Sequence, residues 1–343
     1  MIAIASDKFK GTLSSTEAGE AIRLGLGELC GREIRVFAMA DGGEGTAQAL
    51  GAVTVPQAYY TFRGTDGSMK AYIPSCGEGM PWQTDISGAE QPLRQRSSFE
   101  VGRAVRRAAE SGLYSGIYVG IGGTRTADGG LGMLRGMGYT IECDSDGLPT
   151  AIIPPAALAS VYAATVCGLT DVGAPLYADT GLSAMSFLAQ KGATEADVQW
   201  CEALFRRLMC LYPAPAPFGG AGGGIGFALD NIAGCECRLG APVILETALQ
   251  NSTPELLITG EGHLDAQTLG GKTVAAVYAR AHACGIPAAA FCGSMAAGVG
   301  LPNVFPCISD GNPIPADPEA ALRHTAAMAR PCIEKLLLNH LTK

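Results

Sequence analysis

The sequence predicts an α/β protein of two domains, one of them built from both ends of the chain. Three observations carry this. The chain has 343 residues, more than most single hydrophobic cores hold. Short apolar runs feed polar or glycine-rich loops and then helices at each end, as buried parallel strands do. The middle of the chain does not keep that alternation.

At the start, residues 2–5 (IAIA) read as a buried strand, and residues 7–12 are polar. Ser14, with Glu17 three positions on, fits a capping box. Ala18, Ile22, Leu26 and Leu29 give the helix its apolar face, and Gly31 stands where a left-handed end belongs. Residues 34–39 form a second strand. Near the other end, residues 256–259 read as a strand, 260–271 as a loop, 273–283 as a helix and 288–292 as another strand. Asp317-Pro318-Glu319 opens a last helix, with proline at its first position, reaching about residue 339. Residues 1–55 and 246–343 are therefore expected to form one doubly wound domain. Residues 56–245, with glycine-rich turns and a proline-rich connector at 212–217, form an inserted second α/β domain.

Composition narrows the function. The net charge is −8 and no Lys/Arg stripe occurs, so nucleic acid is not an expected partner. An anionic substrate would need a local positive pocket. The 12 cysteines are scattered, and only Cys235 and Cys237 stand as CxC. They read as buried thiols of a reducing cytosol rather than metal ligands. The opening meets Asp7 at once, unlike a secretory leader, and the uncharged stretch 147–170 is broken by Pro149, Pro154 and Pro155. A cytoplasmic protein without a membrane partner is expected.

The 47 glycines, about twice the usual share, gather in loops that follow strand-like runs. Such loops line the ligand edge of an open α/β sheet. Lys10-Gly11 before a helix suits an anion. In residues 40–46, glycines bracket Asp41 and Glu44, which suits Mg2+, proton acceptance or a plain Asp-Gly turn. Residues 120–130 bring backbone N–H groups together with Thr124, Arg125, Thr126 and Asp128, and Arg125 could clamp a carboxylate in bidentate fashion. The run at 219–226 is not spaced as a dinucleotide fingerprint; it suits either phosphate cradling or close helix packing. Residues 260–273 end in GKT, but Ala266 stands where the first P-loop glycine belongs. Lys272 at a helix start still suits phosphate, with Glu261 or Asp265 for a metal. His263 reads as a surface residue, and Asp171 and the segment at 190–194 read as structural.

In this order, IASDKFKGTLSS, ADGGEGT, GIGGTRTADGGLGML, QKGAT, the glycine run and LITGEGHLDAQTLGGK resemble the bacterial glycerate kinase family that is unrelated to P-loop kinases. The likeness spans about residues 1–294. It implies a flavodoxin-like domain from both chain ends and an inserted mixed α/β domain. It also implies ATP- and Mg2+-dependent phosphorylation of D-glycerate, most often to 2-phospho-D-glycerate. The roles that follow place Asp128 or Asp265 as the base, and Lys10 and Lys272 on transferring charge. Gly222, Gly223, Gly224, Gly270, Gly271 and Thr273 would bind the nucleotide. Asp7, Arg125, Thr126 and Lys191 would bind the acid, and Asp41, Glu44 and Glu261 the metal. A homo-oligomer is compatible with this reading.

The chain departs from the family at Lys8, Arg125 and Ala127, where Ser, Ala and Asn are usual, and at Gly173 and Ala174, where a polar pair is usual. A kinase of another hydroxy or sugar acid and a non-catalytic ligand sensor are the alternatives these departures leave.

Overall fold

A computed structural model describes residues 1–55, 59–75, 92–250, 252–265, 268–270, 272–308 and 316–341. The chain divides into two compact units, Met1–Ala40 with Ala241–Lys343, and Asp41–Gly240. In the first unit, β1 (Ile2–Ile4) leads to the helix Ser15–Leu26 and to β2 (Ile34–Val36). The second unit then contributes β3 (Val53–Val55), β4 (Tyr59–Arg63), β5 (Met69–Pro74), β6 (Gly116–Gly120), β7 (Thr140–Cys143), β8 (Pro149–Ile153), β9 (Val166–Thr170) and β10 (Glu236–Leu239). The chain returns to the first unit with β11 (Leu256–Leu264), the helix Thr273–Cys284, β12 (Ala288–Met295), β13 (Val304–Pro306) and the helix Pro318–Leu341.

The first unit is a parallel sheet ordered β13-β12-β11-β1-β2. Numbered by their own succession, its strands lie 2-1-3-4-5, the flavodoxin-like order. Ile2 and Ile4 pair with Leu256 and Ile258, which closes the two chain ends into one sheet. One face packs on the helices Ser15–Leu26 and Pro318–Leu341 through Ile22, Leu26, Phe291, Leu322 and Ile333, all fully buried. Each such side chain contributes about 1.5–3 kcal/mol relative to exposure. The helix Thr273–Cys284 covers the other face through Val274, against Leu264 and Cys292.

The capping box forms as read: the Glu17 N–H donates to Ser14 Oγ and the Ser14 N–H to the Glu17 carboxylate. That helix stops at Leu26 with Gly27 rather than running to Gly31. Leu29 instead packs inward from a turn bridged to Arg32. Strand β11 runs five residues past the expected end, because pairing with β12 continues to Leu264 and Met295. Glu261, Gly262 and His263 therefore sit on a strand and not in a loop.

The second unit holds a six-stranded sheet ordered β10-β9-β6-β5-β4-β3, parallel from β10 to β5 and antiparallel beyond, with β7 and β8 as a separate hairpin. Because Val53–Val55 pairs with β4, residues 41–55 fall with the inserted unit rather than with the chain ends. Among the described residues, no helix is long and apolar enough to cross a membrane.

Candidate functional site

In the second unit, strands β6 and β9 lie side by side and parallel, so the loops leaving them share one edge. A cavity of about 540 Å3 opens there. Arg96, Thr124, Arg125, Asp171, Gln190 and Lys191 line it, and Gly220–Gly223 of the glycine run close one side. Local sequence sets each part. The helix Glu195–Leu211 begins with a capping box of Thr194 and Asp197, and Gly192 just before it takes a positive φ of 75°. This fixes the turn that carries Gln190 and Lys191. Asp197 Oδ1 also accepts the Arg94 N–H at 3.4 Å, which ties the segment leading to Arg96 to the same helix start. Thr194 holds the Asp197 carboxyl below its ordinary range, chiefly through its backbone N–H.

The three cations are linked through main chain. Arg96 is only 7% exposed, and its Nη1 donates to the carbonyls of Lys191 at 2.9 Å and Arg125 at 3.4 Å. Lys191 Nζ donates to the Thr126 carbonyl at 2.6 Å. Arg125 itself is exposed at the cavity edge. Arg96, Arg125 and Lys191 together line a cavity that would suit a carboxylate or phosphate.

Several expected residues have other work. Both oxygens of Asp128 accept hydrogen bonds: from the N–H of Ser98 (2.9 Å), Gly130 (3.1 Å) and Gly132 (3.1 Å), and from Ser98 Oγ. The Asp128 carboxylate is buried and braces the loop. The Thr126 side chain is wholly buried and is not among the residues that line the cavity, while its carbonyl accepts from Lys191 Nζ. Gly222, Gly223 and Gly224 all have positive φ, and the run packs against the 121–130 loop. A Cβ on Gly223 would lie 2.1 Å from the Thr126 carbonyl oxygen, and one on Gly224 2.4 Å from Gly129 Cα. Close packing against this loop accounts for the glycines at 223 and 224.

Asp41 and Glu44 precede β3 in the loop whose Gly42 carbonyl accepts the Gly122 N–H at 3.3 Å. They stand at the same sheet edge but do not line the cavity. Where the family has polar residues, Ala127 and Ala174 are buried, and the Ala174 carbonyl accepts the Gly220 N–H at 2.7 Å. Arg96 escaped the sequence reading because it sits in no glycine motif; Asp171 and Gln190 were read as structural. Only the folded chain brings Arg96 to the loops at 125 and 191.

In the first unit, the loops leaving β1 and β11 meet where the strand order reverses. The Asp7 N–H donates to the Gly260 carbonyl at 2.8 Å, and Asp7 is nearly buried. Glu261 is held in a low-dielectric setting that pushes its carboxyl up to about 7; Asp7 and Asp265 add to this, while the Thr268 hydroxyl and Lys272 oppose it. Its Oε2 is buried and has no hydrogen-bond partner among the described residues. Asp265 Oδ1 accepts the Thr268 N–H at 3.1 Å and so shapes the turn Thr268–Gly270.

Lys272 occupies the N-cap position of the helix Thr273–Cys284 without a side-chain cap. Thr273 is fully buried, and its Oγ1 has no partner among the described residues. A helix start with a lysine beside it is a suitable place for phosphate. A Cβ on Gly270 would meet open space, and Gly271 lies outside the described residues. His263 is exposed, and its Nδ1 is 2.7 Å from Ser294 Oγ.

Asp41 and Glu44 belong to one unit and Glu261 to the other. Among the described residues no three His, Cys, Asp or Glu side chains group as ligands for a metal. Mg2+ needs no such cage, since it commonly takes one or two carboxylates together with phosphate oxygens and water. The orphaned Oε2 of Glu261 fits that mode.

Comparison with known proteins places this geometry in a family. The model described as "Glycerate kinase family" matches residues 2–336. The "Glycerate 2-kinase" of Escherichia coli (strain K12) is 30% identical over 336 residues, covering 88% of this chain and 87% of that protein. The "Glycerate kinase" of Bacillus subtilis (strain 168) is 30% identical over 329 residues, covering 86% and 85%. A solved structure of a Salmonella typhimurium LT2 protein, provisionally assigned as glycerate kinase 2, superposes with a TM-score of 0.67 at 24% identity over 100% of this chain and 99% of that one.

Proposed function

The chain belongs to the glycerate kinase family, and on that footing we propose that it transfers the terminal phosphoryl group of ATP to the C2 hydroxyl of D-glycerate, with Mg2+, as a cytoplasmic enzyme. The observation that carries the reading is the cavity bearing Arg96, Arg125 and Lys191 in an otherwise acidic protein. A small carboxylate is what such a set of donors takes up against a net charge of −8. The name of the Escherichia coli relative supports the choice of the C2 hydroxyl.

Phosphoryl transfer asks a protein mainly for positioning and charge. Arg125 and Lys191 hold the carboxylate of the acid, and Arg96 holds both of their backbones in place. Lys10 and Lys272 contact phosphate oxygens, with the first turn of the helix Thr273–Cys284 and the Thr273 hydroxyl beside them. Mg2+, when bound, neutralises charge on those oxygens; Glu261 is the residue that would hold it. Asp41 and Glu44 flank the acid's cavity and take no metal role in this reading. Asp265, oriented by Thr268, accepts the proton of the attacking hydroxyl.

The test is a coupled ADP-release assay with Mg2+-ATP and D-glycerate, the product being distinguished by phosphorus NMR. Turnover to 2-phosphoglycerate, with a glycerate KM raised at least tenfold in Arg125→Ala and Lys191→Met, is expected. Turnover of a different hydroxy acid alone would remove glycerate as the substrate. An effect of these variants on the KM for ATP alone would assign the cavity to the nucleotide instead.

A further inference from the structure

The flavodoxin-like unit has a second cavity, of about 340 Å3, of whose lining these roles use only Lys10. It opens at the C-terminal edge of β11, β12 and β13. Its walls are apolar: Phe9, Cys307, Ile308, Pro318 and Ala321. Its floor is bare main chain, because Gly262 and Gly293 face each other across β11 and β12. A Cβ on Gly293 would lie 2.4 Å from the Gly262 carbonyl oxygen. The polar groups gather at the rim, where Lys10 and Thr12 come from the β1 loop and the hydrogen-bonded pair His263–Ser294 from the two strands. Pro318 and Ala321 belong to the first turn of a 24-residue helix, whose N-terminal end adds positive potential.

A slot of this size suits a small organic molecule. Apolar walls favour a flat ring, and a lysine with a helix start at the mouth favours an attached anion. Glycerate, with three polar substituents on three carbons, gains nothing from such walls. We propose that this cavity takes the base and ribose of the nucleotide, with Lys10 at the phosphate side. The inference rests on the kinase reading for the identity of the nucleotide, and it adds Cys307, Ile308, Pro318 and Ala321, which lie outside the family motifs, to the motif residues Phe9, Lys10 and Gly262.

The experiment is equilibrium titration of the full chain with ADP by calorimetry, alongside ATP and glycerate kinetics. Ala321→Phe and Cys307→Leu each add bulk to a different wall, and circular dichroism establishes that each variant is folded. Each is expected to weaken ADP binding and raise the KM for ATP at least tenfold, with the KM for glycerate changed less than twofold. Folded variants that bind ADP as the unaltered protein does would overturn the proposal while leaving the kinase reading intact. Weakened ADP binding in a protein that does not phosphorylate glycerate would uphold this site and discard that acceptor.

Discussion

Arg96 Nη1 donates to the main-chain oxygen of Lys191 at 2.9 Å, so one cation of this cavity holds the backbone that carries another. Arg96→Ala removes this bond and the weaker one to Arg125, and leaves two partly buried carbonyls without this donor. Bonds from a charged donor are worth about 1.5–3 kcal/mol, so kcat/KM for glycerate is expected to fall roughly 10- to 150-fold. Arg96→Lys keeps the charge but not the planar fork, and recovers only part of the activity. An unchanged KM for glycerate in a folded Arg96→Ala protein would contradict the role.

Asp128 makes a different prediction. Its oxygens accept from three backbone N–H groups and one hydroxyl. Asparagine would turn one acceptor into a donor facing those N–H groups. Asp128→Asn is expected to cost about 2–3 kcal/mol of stability, lowering the unfolding temperature by roughly 5–10 °C. Lost activity at full thermal stability would instead restore Asp128 as the base.

Glu261 ties stability to pH. Its carboxyl is pushed up from its ordinary 4.5 to about 7 by burial. Below about pH 4.5 it is neutral in both the folded and unfolded chain. Between 4.5 and 7 the unfolded chain gives up the proton first, so rising pH favours unfolding. Above 7 the full cost, roughly 2–3 kcal/mol after allowing for partial exposure, is present. Denaturant melts without divalent ions at pH 5 and pH 8 should show Glu261→Gln overtaking the unaltered protein as pH rises. Parallel pH profiles for the two proteins would refute this environment for Glu261.

The glycine run separates packing from conformation. Gly223→Ala combines a φ of +64° with a Cβ 2.1 Å from the Thr126 oxygen. It should cost about 2–5 kcal/mol and distort the carbonyl that holds Lys191. Gly192→Ala, at φ +75° with nothing within 4 Å, should cost only about 1–2 kcal/mol. Comparable melting temperatures for the two variants would mean that the loop yields easily.

Local chemistry made much of this protein legible from its residues alone. The Ser14–Glu17 box, the apolar runs at 2–5 and 256–259, and the glycine-bracketed polar loops all act over a few residues. They announced the parallel sheet of the chain ends and the segments in which Lys10, Arg125, Lys191, Glu261 and Lys272 stand. The ordered motifs announced the family. Tertiary structure alone decided the rest, because it depends on contacts between distant residues. Pairing with β12 drew Glu261 onto a strand and into a setting that raises its carboxyl. Ser98, 30 positions from Asp128 in the chain, meets that carboxylate and makes it a brace of the loop. Arg96, 95 positions from Lys191, carries no motif because its role exists only where the two segments meet.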